Sequence, residues 1–151
     1  MAEKNKQSFS SNKLFLEILS PEGEVYKDEA DEVILPTTQG EIGVLLNHTP
    51  IFTKLSDGEI IIKKDKDTHY IAITGGFLEV LKNRVNVLAD YAVRSEKVEA
   101  KKAEEAKKKA EDLMKQKERI SEIDFAIAEK DLRRSMLELK ISEKVRKRFR
   151  Q

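Results

Sequence analysis

No glycine or proline follows Gly76 in this chain of 151 residues: all six glycines and all three prolines lie between Pro21 and Gly76. Glycine and proline are the residues that turn a backbone sharply or stop a helix. The chain therefore divides into a part built with turns and a part built without them. Before the boundary, short β-rich runs alternate with turn residues. Leu14, Leu16 and Ile18 alternate with Phe15, Glu17 and Leu19, the period-2 pattern of a half-buried strand. Pro21-Glu22-Gly23 then supplies a turn. Further strands are predicted at 32–35, 43–46, 59–63, 69–74, 77–81 and 85–88, with turn chemistry between them. Many short strands at regular spacing indicate an antiparallel sandwich or barrel. Burying some fifteen large apolar side chains at ~1.5–3 kcal/mol each lets this part fold alone.

Beyond residue 94 the sequence turns to Ala, Lys, Glu and Leu at helical spacing. Ser95 is predicted as the N-cap of a first helix, with Glu96 in its first turn. Ala103, Ala106, Ala110, Leu113 and Met114 form a stripe of mostly small residues on that helix. Ser121 with Asp124 has the form of a capping box and opens a second helix. On the second helix Ala128, Leu132, Met136 and Leu139 make one apolar stripe, and Leu137, Ile141, Val145 and Phe149 another. Two arrangements satisfy this pattern: an antiparallel hairpin turning near 117–121, or one unbroken helix of roughly 55 residues. The division is thus a polar, disordered tail at 1–12, a β domain at 13–94 and a helical part at 95–151.

Charge follows the same boundary. Residues 1–94 hold 11 Lys/Arg against 15 Asp/Glu, while residues 95–151 hold 18 against 13. The formal net charge of +1 gives the whole molecule no general attraction to nucleic acid or anionic lipid. There is no cysteine, which removes disulfides and thiolate metal sites and fits a reducing compartment. No secretory h-region is expected at the N-terminus, and no run approaches the ~20 apolar residues that span a bilayer. His48 and His69 lack acidic or cysteine neighbours at ligand spacing, so no metal site is expected. Phosphate-loop, zincin and nucleophile-elbow motifs are absent. Gly75-Gly76 follows a strand but precedes no helix, so it reads as a tight bend rather than a phosphate loop. The end of the chain carries Lys140, Lys144, Arg146, Lys147, Arg148 and Arg150 against Glu143. That run serves either as a helix end complementing the macrodipole or as a docking surface for an acidic partner. Only Phe149 is interleaved for base stacking, which disfavours nucleic acid.

Three spaced segments carry a resemblance. They are Leu35-Pro36-Thr37-Thr38-Gln39-Gly40-Glu41-Ile42-Gly43-Val44-Leu45-Leu46-Asn47-His48-Thr49-Pro50, Ile73-Thr74-Gly75-Gly76-Phe77-Leu78-Glu79-Val80, and Val85-Asn86-Val87-Leu88-Ala89-Asp90. Together with 16–23 and the alanine-rich 100–113, in this order, they resemble the epsilon subunits of bacterial F-type ATP synthases over roughly residues 13–115. The resemblance implies an α+β fold: an N-terminal antiparallel β-sandwich followed by a C-terminal two-helix hairpin. It implies a non-catalytic rotor subunit without cofactor, partnered by the gamma subunit, the c-ring and the alpha/beta catalytic head. Membrane contact at the cytoplasmic face would run only through that complex. It further implies that Glu41, Ile42 and His48 touch the c-ring. Lys144, Arg146, Lys147, Arg148 and Arg150 would meet the beta subunits when the helices rise to obstruct hydrolysis. Two departures stand out. The ATP-binding motif of the family, I-D-x-x-R-A, reads Val98-Glu99-Ala100-Lys101-Lys102-Ala103 here, and Lys102 lacks the planar fork that grips phosphate. The usual Pro-Gly before the histidine is Leu46-Asn47. The competing reading is a β domain with a basic coiled-coil arm, acting as a scaffold or nucleic-acid adaptor.

Overall fold

The computed structural model describes residue 10 and residues 12–150, so most of the expected 1–12 tail lies outside the described residues. The described residues form ten strands: β1 (Leu14–Ser20), β2 (Gly23–Ala30), β3 (Glu32–Thr37), β4 (Gly40–Leu45), β5 (Ile51–Leu55), β6 (Gly58–Lys64), β7 (Asp67–Thr74), β8 (Gly76–Leu81), β9 (Arg84–Leu88) and β10 (Tyr91–Arg94). They hydrogen-bond in the order β10-β7-β6-β3-β5-β8-β9-β1-β2, with β4 added to β3. The link between β3 and β5 is a single pair, Thr37 with Leu55, and there the path folds into two layers.

Local chemistry sets the hairpins. Lys82 and Asn83 both adopt positive φ, as a two-residue type I′ turn between β8 and β9 requires. At the β3–β4 turn Thr37 Oγ1 donates to the Gly40 carbonyl at 2.5 Å. Among the described strands the pairing is antiparallel with one exception, β1 alongside β9. Neighbours in sequence can close through a tight turn, but a parallel pair needs a long crossover, supplied here by everything from β2 to β8.

The core lies between the layers. Leu14, Leu16 and Ile18 from β1 meet Leu78 and Val87 from their own layer and Val33, Leu35, Ile60, Ile62, Ile71 and Ile73 from the other. The expected alternation on β1 holds, although Phe15 on its second face is also buried, with Arg84 over its ring.

The helical part is a hairpin, which decides between the two arrangements open in the sequence. A 3-10 turn, Ser95–Lys97, leads into α1 (Ala100–Met114), and α2 (Glu122–Phe149) returns after a break. Ser121 caps α2 as expected, accepting from the Asp124 N–H at 3.1 Å. Ser95 does not cap α1. Its hydroxyl is taken by Glu59, and α1 begins only at Ala100, with Glu99 before it making no side-chain cap. Small residues allow the helices to approach closely: Ala103 and Ala110 are buried on α1, Ala128 and Ser135 on α2. Met136, expected inside, is 53% exposed, because the buried stripe of α2 passes through Leu137 and Ile141 instead.

Candidate functional site

On β7, four successive residues from Ile71 to Thr74 are buried, more than alternation allows for a strand with one wet face. Ile71 and Ile73 point into the sandwich core, while Ala72 points outward beneath α2. Register places Glu59 of β6 and Val93 of β10 on either side of Ala72, so these three form a row across the outer face. Leu137 and Ile141 of α2 cover it, with Val93, Val98 and Val145 packed around them.

Polar anchors flank this apolar strip. Arg133 donates to both carboxylate oxygens of Asp57, Nε to Oδ2 at 2.6 Å and Nη2 to Oδ1 at 2.8 Å. Four residues apart, Arg133, Leu137, Ile141 and Val145 fall on one helix face, and Arg148 continues it. Arg148 grips both oxygens of Glu59, and its guanidinium lies 3.5 Å from the centre of the Tyr70 ring. The Glu59 hydrogen bond holds the Arg148 pKa above its ordinary value. Between these anchors Tyr91 donates to Glu138 Oε1 at 2.5 Å, and Arg134 lies over the Tyr91 ring and donates to the same oxygen. Burial, and then the Glu138 carboxylate, push the Tyr91 phenol up to about 12.

The remaining sequence-derived sites are dispersed. Glu99 and Lys102 pair with each other at 3.1 Å, exposed on the rim of a cleft of about 480 Å³ between α1, α2 and β10. Glu41 and Ile42 lie on β4 beside the β3–β4 turn. His48 comes after the other end of that strand, its Nδ1 2.7 Å from the Thr49 carbonyl, where Asn47 donates to Asn83. Glu41 and His48 are therefore not one cluster. Any surface touching both runs the length of β4, which pairs only with β3 among the described strands. In the basic tail Lys144, Arg146, Lys147 and Arg150 are exposed, whereas Arg148 is folded inward.

A further surface had no place in the sequence reading. The outer face of β5, β8 and β9 exposes Phe52, Phe77 and Leu88, with the two phenylalanine rings stacked at 5.7 Å. The signal was available: Phe77 and Leu81 occupy the same phase of β8 as Glu79, the phase that should be polar. Contiguous exposed apolar side chains on one sheet are unusual for a face that stays in water. Among the described residues no group of three or more His, Cys, Asp or Glu is placed to hold a metal ion. None of the described helices is long and apolar enough to cross a membrane.

Residues 13–95 match the family described as ATP synthase, Delta/Epsilon chain, beta-sandwich domain. A Dehalococcoides mccartyi protein named ATP synthase epsilon chain is 42% identical over 135 residues, 89% of this chain and 96% of the relative. One of the same name from Nitrosomonas europaea is 39% identical over 134 residues, 88% of this chain and 94% of that one. Among solved structures, a chain of the Euglena gracilis mitochondrial ATP synthase, described as OSCP/F1/c-ring in rotational state 1, superposes with a TM-score of 0.64. That match has 18% identity and covers 92% of this chain and 86% of the other, a likeness of fold.

Proposed function

This chain belongs to the ATP synthase epsilon-chain family, as a non-catalytic stalk subunit, and on that premise we propose that it couples gamma to the c-ring and brakes ATP hydrolysis through its helices. The observation that carries the proposal is the separation of two packing surfaces. The sandwich keeps a closed core of its own, while the helix pair is held outside it by a thin apolar strip and a few polar anchors. Such a layer can leave without opening the core.

Gamma takes the apolar face around Phe52, Phe77 and Leu88, which lies on a different layer from the docked helices. The c-ring meets Glu41 and Ile42, and His48 joins only where the contact extends along β4. The exposed cations of the tail meet acidic loops of the beta subunits once the helices rise. Each exposed ion pair contributes only about 0.2–1 kcal/mol, so several must act together. About 5.5 kcal/mol carries a two-state equilibrium from 1:99 to 99:1. The protein sits peripherally at the cytoplasmic face of the membrane, through the complex. Free ATP binds weakly or not at all, since Lys102 offers a point charge already paired with Glu99.

Steady-state hydrolysis by the reconstituted catalytic head, gamma and this subunit tests the brake. Deleting residues 95–151 should raise the rate, and an unchanged rate would sink the proposal.

A further inference from the structure

Glu59 lies on the outer face of β6 with only 5% of its side chain exposed, and among the described residues every side chain that donates to it belongs to the helical part. Ser95 Oγ, in the 3-10 turn that opens the helical part, donates to Oε2 at 2.7 Å. Arg148, in the last turn of α2, donates to Oε2 at 3.1 Å and also to Oε1. One strand carboxylate thus holds both the first and the last turn of the helical part. Tyr70, on the neighbouring strand, provides the ring on which the guanidinium lies.

We propose that Glu59, Ser95 and Tyr70 form a receptor for Arg148, which makes Arg148 the latch of the folded helices rather than a member of the partner-docking tail. This latch rests on the brake proposed above, and it gives cations within one run of sequence opposite effects. Lys144, Arg146, Lys147 and Arg150 are exposed and free to meet a partner while the helices are folded. Arg148 is already engaged, and lifting α2 strips its guanidinium from a nearly buried carboxylate. Removing one member of a buried pair costs far more than an exposed ion pair supplies, because the other charge is left behind. Arginine suits this receptor and lysine does not, because two parallel donors and a flat stacking face are both used.

Amide hydrogen exchange on the purified full-length chain reads the latch without the rest of the complex. Arg148→Ala should accelerate exchange in the second half of α2 by about tenfold to a hundredfold. Arg148→Lys should fall between that variant and the wild type, and Arg146→Ala should match the wild type. Amides of β1 and β8 should not change in any of them, which separates release of the helix from unfolding of the sandwich. Glu59→Leu with Arg148→Leu should restore slow exchange, since the stranded charge is gone. Equal exchange in Arg148→Ala and wild type would overturn the latch. In the reconstituted complex Arg148→Ala should lower hydrolysis, while alanine at Lys144, Arg146, Lys147 and Arg150 together should raise it. A rise in both would overturn the assignment of sign. Fast exchange in Arg148→Ala, combined with hydrolysis indifferent to loss of 95–151, would keep the latch and remove the brake.

Discussion

A methyl group added to Gly76 would lie 2.1 Å from the Leu88 carbonyl oxygen, on a backbone whose φ is +120°. Both obstacles are rigid: the contact is with main chain, and the dihedral is one that side chains avoid. Gly76→Ala should therefore cost on the order of 3–5 kcal/mol, a fall of roughly 10 °C or more in thermal midpoint. Gly23→Ala is the control, because φ is +130° but the space around it is open. Its loss should stay near 1–2 kcal/mol, so comparable midpoints for the two variants would contradict the steric argument. The bend at Gly75-Gly76 was legible in the sequence because a glycine pair after a strand has few other uses. Ser121 was equally legible, since a capping serine and the amide it satisfies are three residues apart. Ser95 looked the same and was not, because its partner is Glu59, 36 residues away. Nothing local announces a contact across that distance.

Strands and helices differed in legibility for a similar reason. β3, β4 and β6 to β9 were anticipated from their apolar runs, whereas β2, β5 and β10 were not. β2 lies at one end of the strand order and reads Gly-Glu-Val-Tyr-Lys-Asp-Glu-Ala, so its apolar positions are sparse. β10 has four residues at the other end, and α2 shields part of it. α2 was easily found, but not the face it buries, because two apolar stripes competed and only the sheet chooses between them. That choice has a pH signature. The Tyr91 phenol is neutral when protonated, and its folded value of about 12 lies above the ordinary value of about 10. Its contribution to docking is therefore complete below pH 10 and is lost as pH climbs from 10 towards 12. Tyr91→Phe should be less stable than wild type at pH 8, and the difference should narrow by pH 11.5. Denaturant melts at the two values measure it, and a constant difference would exclude the titration of Tyr91 as the cause.

At the scale of the molecule, the main core cluster contains none of the described residues beyond Ala92. Residues 1–94 should accordingly melt cooperatively without the helices, exposing Ala72, Val93 and the Glu59 carboxylate. Calorimetry on that fragment decides the matter, and absence of a cooperative transition would show that the sandwich depends on its helices. Residues 95–151 alone should be only partly helical, since the α1–α2 seam is short-sided and isolated helices gain most of their stability from packing. The two-part architecture was the most legible feature of the sequence, because it rests on where glycine and proline stop. The apolar outer face was the least expected, because its strands carry apolar residues in both phases.

The parallel pairing of β1 with β9 also puts the molecule on a clock. Phe15 lies opposite Arg84, so the first strand waits for almost the whole sandwich to leave the ribosome before it can be seated. Contacts so remote along the chain make for slow folding, in milliseconds to seconds. Until then the apolar side of β1, with Leu14, Leu16 and Ile18, has only β2 beside it in its sheet, and the nascent chain is at its most prone to aggregate. The helices, emerging after the strands, reach a sandwich that is ready to receive them.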